Sequence, residues 1–214
     1  QPKKVLNLYA GIGGNRKLWV DVNVTAIEIN PEIATIYQDF FPDDTVIVAD
    51  AHQYLLDHYN DGWDFIWSSP PCPTHTKLVR VNEAQGRVKY PDMKLYEEII
   101  LLNNFSNSKY LVENVISYYN PLIKPQKIGN HYYWSNFLIG QFKEKPRKIA
   151  HFLGVNTKDN IKEKSELYNF NLDKFDISLQ FKEKILKNCV EPRTGKHIFD
   201  CAFKYEQQVL GLII

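Results

Sequence analysis

The sequence predicts an α/β fold in which a mostly parallel sheet carries helices on both faces. Over residues 1–140, short β-branched or apolar runs alternate with stretches of helical spacing, the pattern of a parallel sheet. A glycine turn at residues 11–14 follows the first of these runs directly. The chain has 214 residues, 44% of them hydrophobic, which is enough for one well-buried domain and short for two.

The predicted strands are short runs rich in β-branched and aromatic residues. They span residues 5–9, 24–28, 46–48, 65–67, 110–112 and 132–139. Helices are predicted from about residue 15, from Pro31, over 92–103 and over 193–210. In the last three of these, apolar residues recur at helical spacing and are expected to face the core: Ile33, Ile36, Tyr37 and Phe40; Leu95, Ile99 and Leu102; Ile198, Phe199, Ala202 and Phe203.

Residues 141–187 show no strong periodicity. They are rich in Lys, Asn and Asp, with scattered Phe and Tyr. Two interpretations stay open for this stretch, a small appended subdomain or a set of long loops.

Charge and composition narrow the class of protein. Lys and Arg total 26 against 25 Asp and Glu, which gives a formal charge of +1. Any electrostatic attraction to nucleic acid must therefore come from local basic patches. The chain has no long apolar run and no signal-peptide pattern, so we expect a soluble, cytoplasmic protein without a membrane partner. The three cysteines argue against a disulfide framework. Two of them, with His197, lack the spacing of a zinc site, so no metal is expected.

The glycine turn is followed by two acidic residues that favour a nucleoside cofactor. Gly11, Gly13 and Gly14 let the backbone turn sharply and approach a ligand closely. Glu28 ends the second predicted strand, where a carboxylate can accept hydrogen bonds from both ribose hydroxyls. Asp50 ends the third, within reach of an adenine amino group. The glycine spacing is not the full dinucleotide motif, so a tight turn without a ligand is the alternative.

A cysteine and a glutamate stand at the ends of two further predicted strands. Cys72 follows Pro70 and Pro71 in a stiffened turn at the carboxyl end of the fourth strand, the edge where α/β active sites form. Glu113 ends the fifth strand. A thiolate that adds to a conjugated ring places negative charge on it, and a nearby carboxylic acid offsets that charge by donating a proton. That role needs a Glu whose pKa is raised by burial.

These segments resemble the cytosine-5 DNA methyltransferase family. Its motifs occur here in the family's order, with Tyr9 in place of the usual Phe: the cofactor loop at 8–14, the ribose segment at 26–30, the adenine segment at 49–51, Pro-Pro-Cys at 70–72 and Glu-Asn-Val at 113–115. The resemblance implies a Rossmann-like S-adenosylmethionine-dependent methyltransferase fold. It also implies methyl transfer to C5 of a flipped-out cytosine in double-stranded DNA, through a covalent Cys72 adduct.

The resemblance further implies roles for individual residues. Cys72 is expected to be the nucleophile and Glu113 the acid. The residues expected to contact S-adenosylmethionine are Tyr9, Ala10, Gly11, Gly13, Gly14, Glu28, Ile29, Asp50, Ala51, Pro70, Asn188 and Val190. The last two belong to Asn188-Cys189-Val190, which resembles the family's final Asn-Ser-Val segment. That segment is expected to fold back beside the first strand.

Other parts of the chain depart from the family. Pro73 replaces the Gln that usually follows the Cys, and Thr76 takes the place of a later Ser. The Gln-x-Arg-x-Arg segment is absent and residues 129–134 occupy its place, so His131 is expected to contact the target base. Little room is left for a target-recognition domain, which is typical of a compact, phage-like branch. We expect a catalytic domain at 1–140, a variable DNA-recognition segment at 141–187 and a C-terminal segment at 188–214 that packs back on the first.

Basic residues follow the nucleophile and are expected to contact DNA phosphates as a loop closes over a flipped base. These residues are Lys77, Arg80, Arg87 and Lys89, together with the hydroxyl residue Thr76. A solvated surface loop is the alternative. The same two interpretations apply to a second basic cluster, Lys143, Lys145, Arg147 and Lys148.

Three functions stay open from the sequence. The first is a DNA cytosine-5 methyltransferase of a restriction-modification or phage system. The second is the same chemistry on RNA, and the third is a non-catalytic DNA-binding subunit, which the presence of both Cys72 and Glu113 disfavours. A separate recognition subunit or a homodimer is a further expectation, because so little of the chain is left for sequence selection.

Overall fold

The computed structural model describes residues 1–77, 79, 90–142 and 157–210, with side chains of the last helix described as far as residue 204. These residues form one sheet in the order β3-β2-β1-β4-β5-β7-β6. Strands β1 to β5 run parallel, whereas β7 lies antiparallel between β5 and β6. The strands are β1 (Lys3–Leu8), β2 (Val22–Glu28), β3 (Thr45–Val48), β4 (Phe65–Ser68), β5 (Lys109–Val115), β6 (Gln126–Ile128) and β7 (His131–Ser135).

The described helices are α1 (Pro31–Phe40), α2 (Ala51–His58), α3 (Lys94–Phe105), α4 (Thr157–Tyr168), α5 (Leu179–Lys187) and α6 (Pro192–Leu210). Helix α1 begins where Pro31 presets φ and where Asn30 Oδ1 accepts hydrogen bonds from two backbone N–H groups of the first turn, at 2.9 and 3.1 Å. Asp50 caps α2 in the same way, at 2.9 Å. None of these six helices is both long and apolar enough to cross a bilayer.

The strands send alternate side chains into two cores, one on each face of the sheet. Val5 of β1 and Phe65 of β4 enter the first core, and their neighbours Leu6 and Ile66 enter the second. Helices α1, α4, α5 and α6 cover the first face, and α2 and α3 cover the second. The predicted fold class is therefore confirmed, and the inward-facing residues predicted for α1, α3 and α6 are buried or half-buried.

The helix predicted from about residue 15 is wrong. Lys17 N donates to Gly14 O at 3.3 Å and Trp19 N to Arg16 O at 3.0 Å, which are the contacts of successive turns. Strand β2 already begins at Val22, so the segment is too short for a helix to offset the cost of its first turn.

Three further segments differ from the prediction. The strand expected over 132–139 is shorter, His131–Ser135, and pairs with β6 in a hairpin that was not predicted. Helix α2 was not predicted, because half of its eight residues are polar or charged. Residues 141–187 contain α4 and α5, and Ile161 and Ile185 from these helices are buried in the first core. Lys, Glu and Asn occupy most other positions of α4, which hid the helical period in the sequence.

Candidate active site

The carboxyl ends of the central strands meet at one edge of the sheet. In the parallel register, Leu8 lies beside Ile27 on one side and beside Ser68 on the other, and Ser68 lies beside Val112. The segments that leave these four positions are therefore neighbours in space. They are residues 9–14, 28–30, 69–72 and 113–115, which carry most of the predicted site.

The glycine turn holds a carboxylate beside it. Tyr9, Gly11 and Gly13 have φ values of 55, 56 and 81°, a left-handed conformation that glycine adopts without strain. Gly11 N donates to Glu28 Oε2 at 2.9 Å, and Asn30 N donates to the other oxygen at 2.9 Å. The Glu28 side chain is thus fixed at the mouth of the turn, only 8% exposed.

The surroundings of this turn fit the adenosine part of S-adenosylmethionine. A Cβ placed on Gly11 would meet no atom within 4 Å, so the turn borders open space. Glu28 presents carboxylate oxygens there, which are acceptors suited to ribose hydroxyls. Ile29 beside it is 65% exposed and offers an apolar surface to a base. Asp50 is exposed at the start of α2, the position predicted for an adenine contact.

The predicted C-terminal segment lies against the same turn. A Cβ on Gly14 would overlap Val190 O and Cys189 Sγ, so this approach is open only to glycine. In the first turn of α6, a Cβ on Gly195 would overlap the backbone of Asn15. Burial raises the pKa of Cys189 to about 12, so this cysteine stays a thiol and packs as a small apolar residue.

Cys72 lies in a tight turn just beyond β4 and is half-buried. Its carbonyl oxygen accepts hydrogen bonds from His75 N at 2.9 Å and Thr76 N at 3.1 Å. Burial raises the pKa of the Cys72 thiol and outweighs a backbone hydrogen bond and the positive charge of Lys187, which both lower it. The resting group is therefore a thiol, and its proton must leave before it can attack.

Glu113 is the buried acid of the site, 9% exposed on β5. Ser69 Oγ donates to its Oε1 at 2.8 Å, and Trp67 Nε1 donates to Ser69 Oγ at 2.7 Å. Burial raises the pKa of Glu113, and His131 and the Ser69 hydrogen bond only partly oppose that shift. A carboxyl group in this setting holds its proton to higher pH than a solvated one and is suited to act as a general acid.

Two side-chain contacts connect the segment leaving β5 to the turn that carries Cys72. Asn114 Nδ2 donates to Pro70 O at 3.1 Å. His75 Nδ1 lies 2.6 Å from the Tyr119 hydroxyl, and burial lowers the pKa of this histidine, which keeps its ring neutral. Cys72 and Glu113 are thus held on two segments that are hydrogen-bonded to each other.

The residues predicted to contact DNA are only partly described. Thr76 forms an isolated bridge with Ser117, and Lys77 is exposed. His131 is half-buried on β7 and lies opposite Val115, two residue pairs along the ladder from Glu113. Arg80, Arg87 and Lys89 lie outside the described residues, as does the second basic cluster at 143–148. In the described ranges no three His, Cys, Asp or Glu side chains are grouped to hold a metal.

Sequence reasoning missed the groups that support the two reactive residues. Ser69 and Trp67 were read only as neighbours of a strand end, and His75 and Tyr119 were not assigned. The available signal was the pair of hydroxyl residues, Ser68 and Ser69, between a buried apolar run and Pro-Pro. Their partners are distant in sequence: Ser68 donates to Glu98 of α3 and Ser69 to Glu113 of β5.

Comparisons with known proteins agree on the fold. No protein-family model and no curated protein matches the sequence. Among solved structures, the chain is similar to the Dnmt2 methyltransferase of S. pombe, with a TM-score of 0.60, 12% identity, and coverage of 94% of this chain and 98% of that one. It is also similar to the Entamoeba histolytica methyltransferase EhMeth, with a TM-score of 0.55, 14% identity, and coverage of 95% and 98%. The chain therefore has the fold of the S-adenosylmethionine-dependent methyltransferases.

Proposed function

We propose that this protein transfers a methyl group from S-adenosylmethionine to C5 of a cytosine in double-stranded DNA. One observation carries the proposal: a half-buried thiol and a buried carboxyl group with a raised pKa stand at the ends of adjacent parallel strands, next to a glycine turn with an acidic partner. Cys72 and Glu113 are the reactive pair. A thiol, an acid and a methyl donor in one pocket are what methylation at this carbon requires.

In the proposed reaction Cys72 is the nucleophile. Its thiol first releases its proton to solvent, and the thiolate sulfur then forms a bond to C6 of the cytosine ring. The electron pair of the C5–C6 double bond moves into the ring. At the same time Glu113 donates its proton to N3, so that the adduct is a neutral enamine and Glu113 is left as a carboxylate.

The carboxylic acid is restored as the product leaves. C5 takes the methyl group that bound S-adenosylmethionine would supply, and S-adenosylhomocysteine is the leaving group. Solvent then accepts the C5 proton, and the electron pair of the C5–H bond re-forms the C5–C6 double bond. The C6–S bond breaks with its electron pair returning to sulfur, and N3 returns its proton to Glu113. The Ser69 hydroxyl donates to Glu113 Oε1 throughout and stabilises the carboxylate form while it exists.

The residues that would hold the cofactor follow from the fit of the glycine turn. Glu28 accepts from the ribose hydroxyls, Asp50 from the adenine amino group, and Ile29 packs against the base. Asn188 and Val190 close the site from the C-terminal segment. On the DNA side, Lys77 contributes to phosphate contacts and His131 contacts the target base beside Glu113.

A covalent trap tests the reaction. Labelled S-adenosylmethionine is incubated with duplexes in which cytosine is replaced by 5-fluorocytosine, with Cys72→Ser as the matched control. Fluorine cannot leave as a proton, so the wild-type protein is expected to stop as a methylated covalent adduct and the variant to form none. An adduct on 5-fluorocytosine RNA alone would refute the DNA substrate, and an adduct independent of Cys72 would refute the nucleophile.

Sequence selection is proposed to depend on a second chain, either a separate recognition subunit or another copy of this one. Helices α4 and α5 bury apolar side chains such as Ile161 and Ile185 in the first core, so the predicted variable segment also stabilises the fold. Size-exclusion chromatography with and without duplex DNA measures the oligomeric state. A monomer that methylates one defined sequence by itself would contradict this proposal.

A further inference from the structure

A buried carboxylate lies beneath the predicted cofactor site and connects three of its segments. Glu98 of α3 is 0% exposed. Its Oε1 accepts a hydrogen bond from the Tyr9 hydroxyl at 2.6 Å and lies 3.0 Å from His52 Nδ1, and its Oε2 accepts from the Ser68 hydroxyl at 2.5 Å. Tyr9 begins the glycine turn, His52 lies in the first turn of α2, and Ser68 ends β4.

The hydrogen bonds join these side chains into one buried network. Tyr9 and Ser68 donate to Glu98, and His52 Nδ1 faces the carboxyl oxygen that Tyr9 contacts. His52 Nε2 lies 3.1 Å from Glu97 Oε2, so both ring nitrogens face carboxyl oxygens. The hydrogen bond to Glu98 raises the pKa of His52. A buried carboxyl group with hydrogen-bond partners at both oxygens is the arrangement in which an interior polar group is tolerated.

Each of these three partners of Glu98 sits next to a residue of the predicted cofactor site. Tyr9 is a non-glycine residue with a φ of 55°, a conformation that persists only when its surroundings hold it, and the next two residues lead to the N–H group that contacts Glu28. His52 follows Asp50 by two positions. Ser68 lies two positions before Pro70 and directly before the serine that donates to Glu113.

We propose that Glu98 is a positioning residue for the cofactor. Its hydrogen bonds hold the glycine turn, the start of α2 and the end of β4 in fixed positions relative to one another. This inference rests on the proposed S-adenosylmethionine site. Glu98 does not face the open space beside Gly11 itself, because it is buried beneath Tyr9. Its effect on the cofactor is preorganisation, through residues whose positions it sets.

The test compares two adjacent glutamates of α3. Glu98→Gln keeps the shape of the side chain but replaces one acceptor oxygen by an amide donor, so the partner at that position can no longer donate to residue 98. Glu97→Gln is the matched control, because Glu97 is half exposed and, among the described residues, its side chain hydrogen-bonds only to His52, whereas Glu98 connects all three segments. The readout is the Kd of S-adenosylmethionine by calorimetry, well below the thermal unfolding midpoint of each variant. We expect Glu98→Gln to raise the Kd at least ~10-fold and Glu97→Gln to change it by less than ~2-fold.

A double-mutant cycle with Tyr9→Phe separates positioning from a general loss of stability. Tyr9→Phe removes one hydroxyl and is expected to raise the Kd in the wild-type background, with a clearly smaller effect in the Glu98→Gln background. Additive effects, or a Glu98→Gln protein that binds as the wild type does, would overturn the inference and leave the proposed function standing. If Glu98→Gln does not fold, an unchanged Kd in Tyr9→Phe overturns it. A wild-type protein that binds no cofactor would overturn the proposed function as well.

Discussion

Replacing Glu113 by Gln is expected to lower the rate of methyl transfer and to raise stability at alkaline pH. The substitution keeps the size of the side chain, and the amide oxygen can still accept the 2.8 Å hydrogen bond from Ser69. What it removes is the acidic proton and the buried negative charge. The two effects have opposite signs, so together they distinguish a catalytic acid from a structural residue.

The size of the rate effect follows from the role of the acid. A positioned general acid or base contributes ~10²–10⁴-fold to a reaction, or ~2.7–5.4 kcal/mol of activation free energy. Because burial raises the pKa of Glu113, the proton donor persists to higher pH than a solvated glutamate would. The wild-type rate is therefore expected to fall as pH rises through that pKa, whereas the residual rate of the variant should not show this decrease.

The stability effect follows from proton linkage. The pKa of Glu113 is raised in the folded state, so the folded protein binds this proton more tightly than the unfolded chain does. Its contribution to stability is full below the unfolded-state pKa and is lost as pH rises through the folded-state pKa, at ~1.4 kcal/mol for each unit between the two. Gln carries no charge at any pH, so the variant avoids this loss.

Three measurements check the reasoning. Single-turnover methyl transfer gives the rate, calorimetry gives the cofactor Kd, and urea unfolding at about pH 5 and about pH 9 gives the stability difference. Glu163→Gln on the exposed face of α4 serves as the control and should change none of them. A Glu113→Gln protein with the wild-type rate, or one less stable than the wild type at both pH values, would refute the role assigned to this carboxyl group.

The remaining predictions concern packing and cofactor contacts. Trp19→Ala removes a side chain that is 4% exposed, stacks on an α6 ring at 5.1 Å and donates to an α6 carbonyl. Urea unfolding should show that the free energy of unfolding falls by ~3–5 kcal/mol, and a decrease below ~1 kcal/mol would contradict this packing. Gly14→Ala should lower the free energy of unfolding by ~1–3 kcal/mol and weaken cofactor binding, because its Cβ overlaps Val190 O. Gly140→Ala, whose Cβ has no neighbour closer than 3.9 Å, should leave the free energy of urea unfolding nearly unchanged. Glu28→Gln should raise the Kd of S-adenosylmethionine ~10-fold or more in calorimetry, since one acceptor of the proposed ribose contact becomes a donor, and an unchanged Kd would remove Glu28 from the site.

The elements that could be predicted are those with a strong local pattern. Strands β1, β2 and β4 are rich in apolar and β-branched residues, and α1 has a proline at its start, so each can be predicted from its own residues. The helices that were missed, α2, α4 and α5, are short or mostly polar. Their stability depends on burying a few apolar side chains against the sheet, which a local pattern does not record.

The reactive residues were within reach of the sequence because parallel strands end at one edge. Once Cys72 and Glu113 are each assigned to a strand end, the geometry of a parallel sheet brings them together. The pKa shifts were not within reach, because they depend on burial. Glu113 is exposed by only 9%, which results from strands and helices that are far apart in sequence.

The sequence by itself determined the fold class and the order of the glycine turn and its acidic partners, and it named Cys72 and Glu113 as the pair proposed to react. These follow from residue types at strand ends and from periodicity, which are local properties. Only the tertiary structure decided that Ser69 donates to Glu113, that Val190 closes on Gly14, and that Glu98 lies under the glycine turn. Such contacts join segments up to 176 residues apart, as from Trp19 to Gly195, and hydrogen bonds of about 3 Å form only after packing has set the backbone positions.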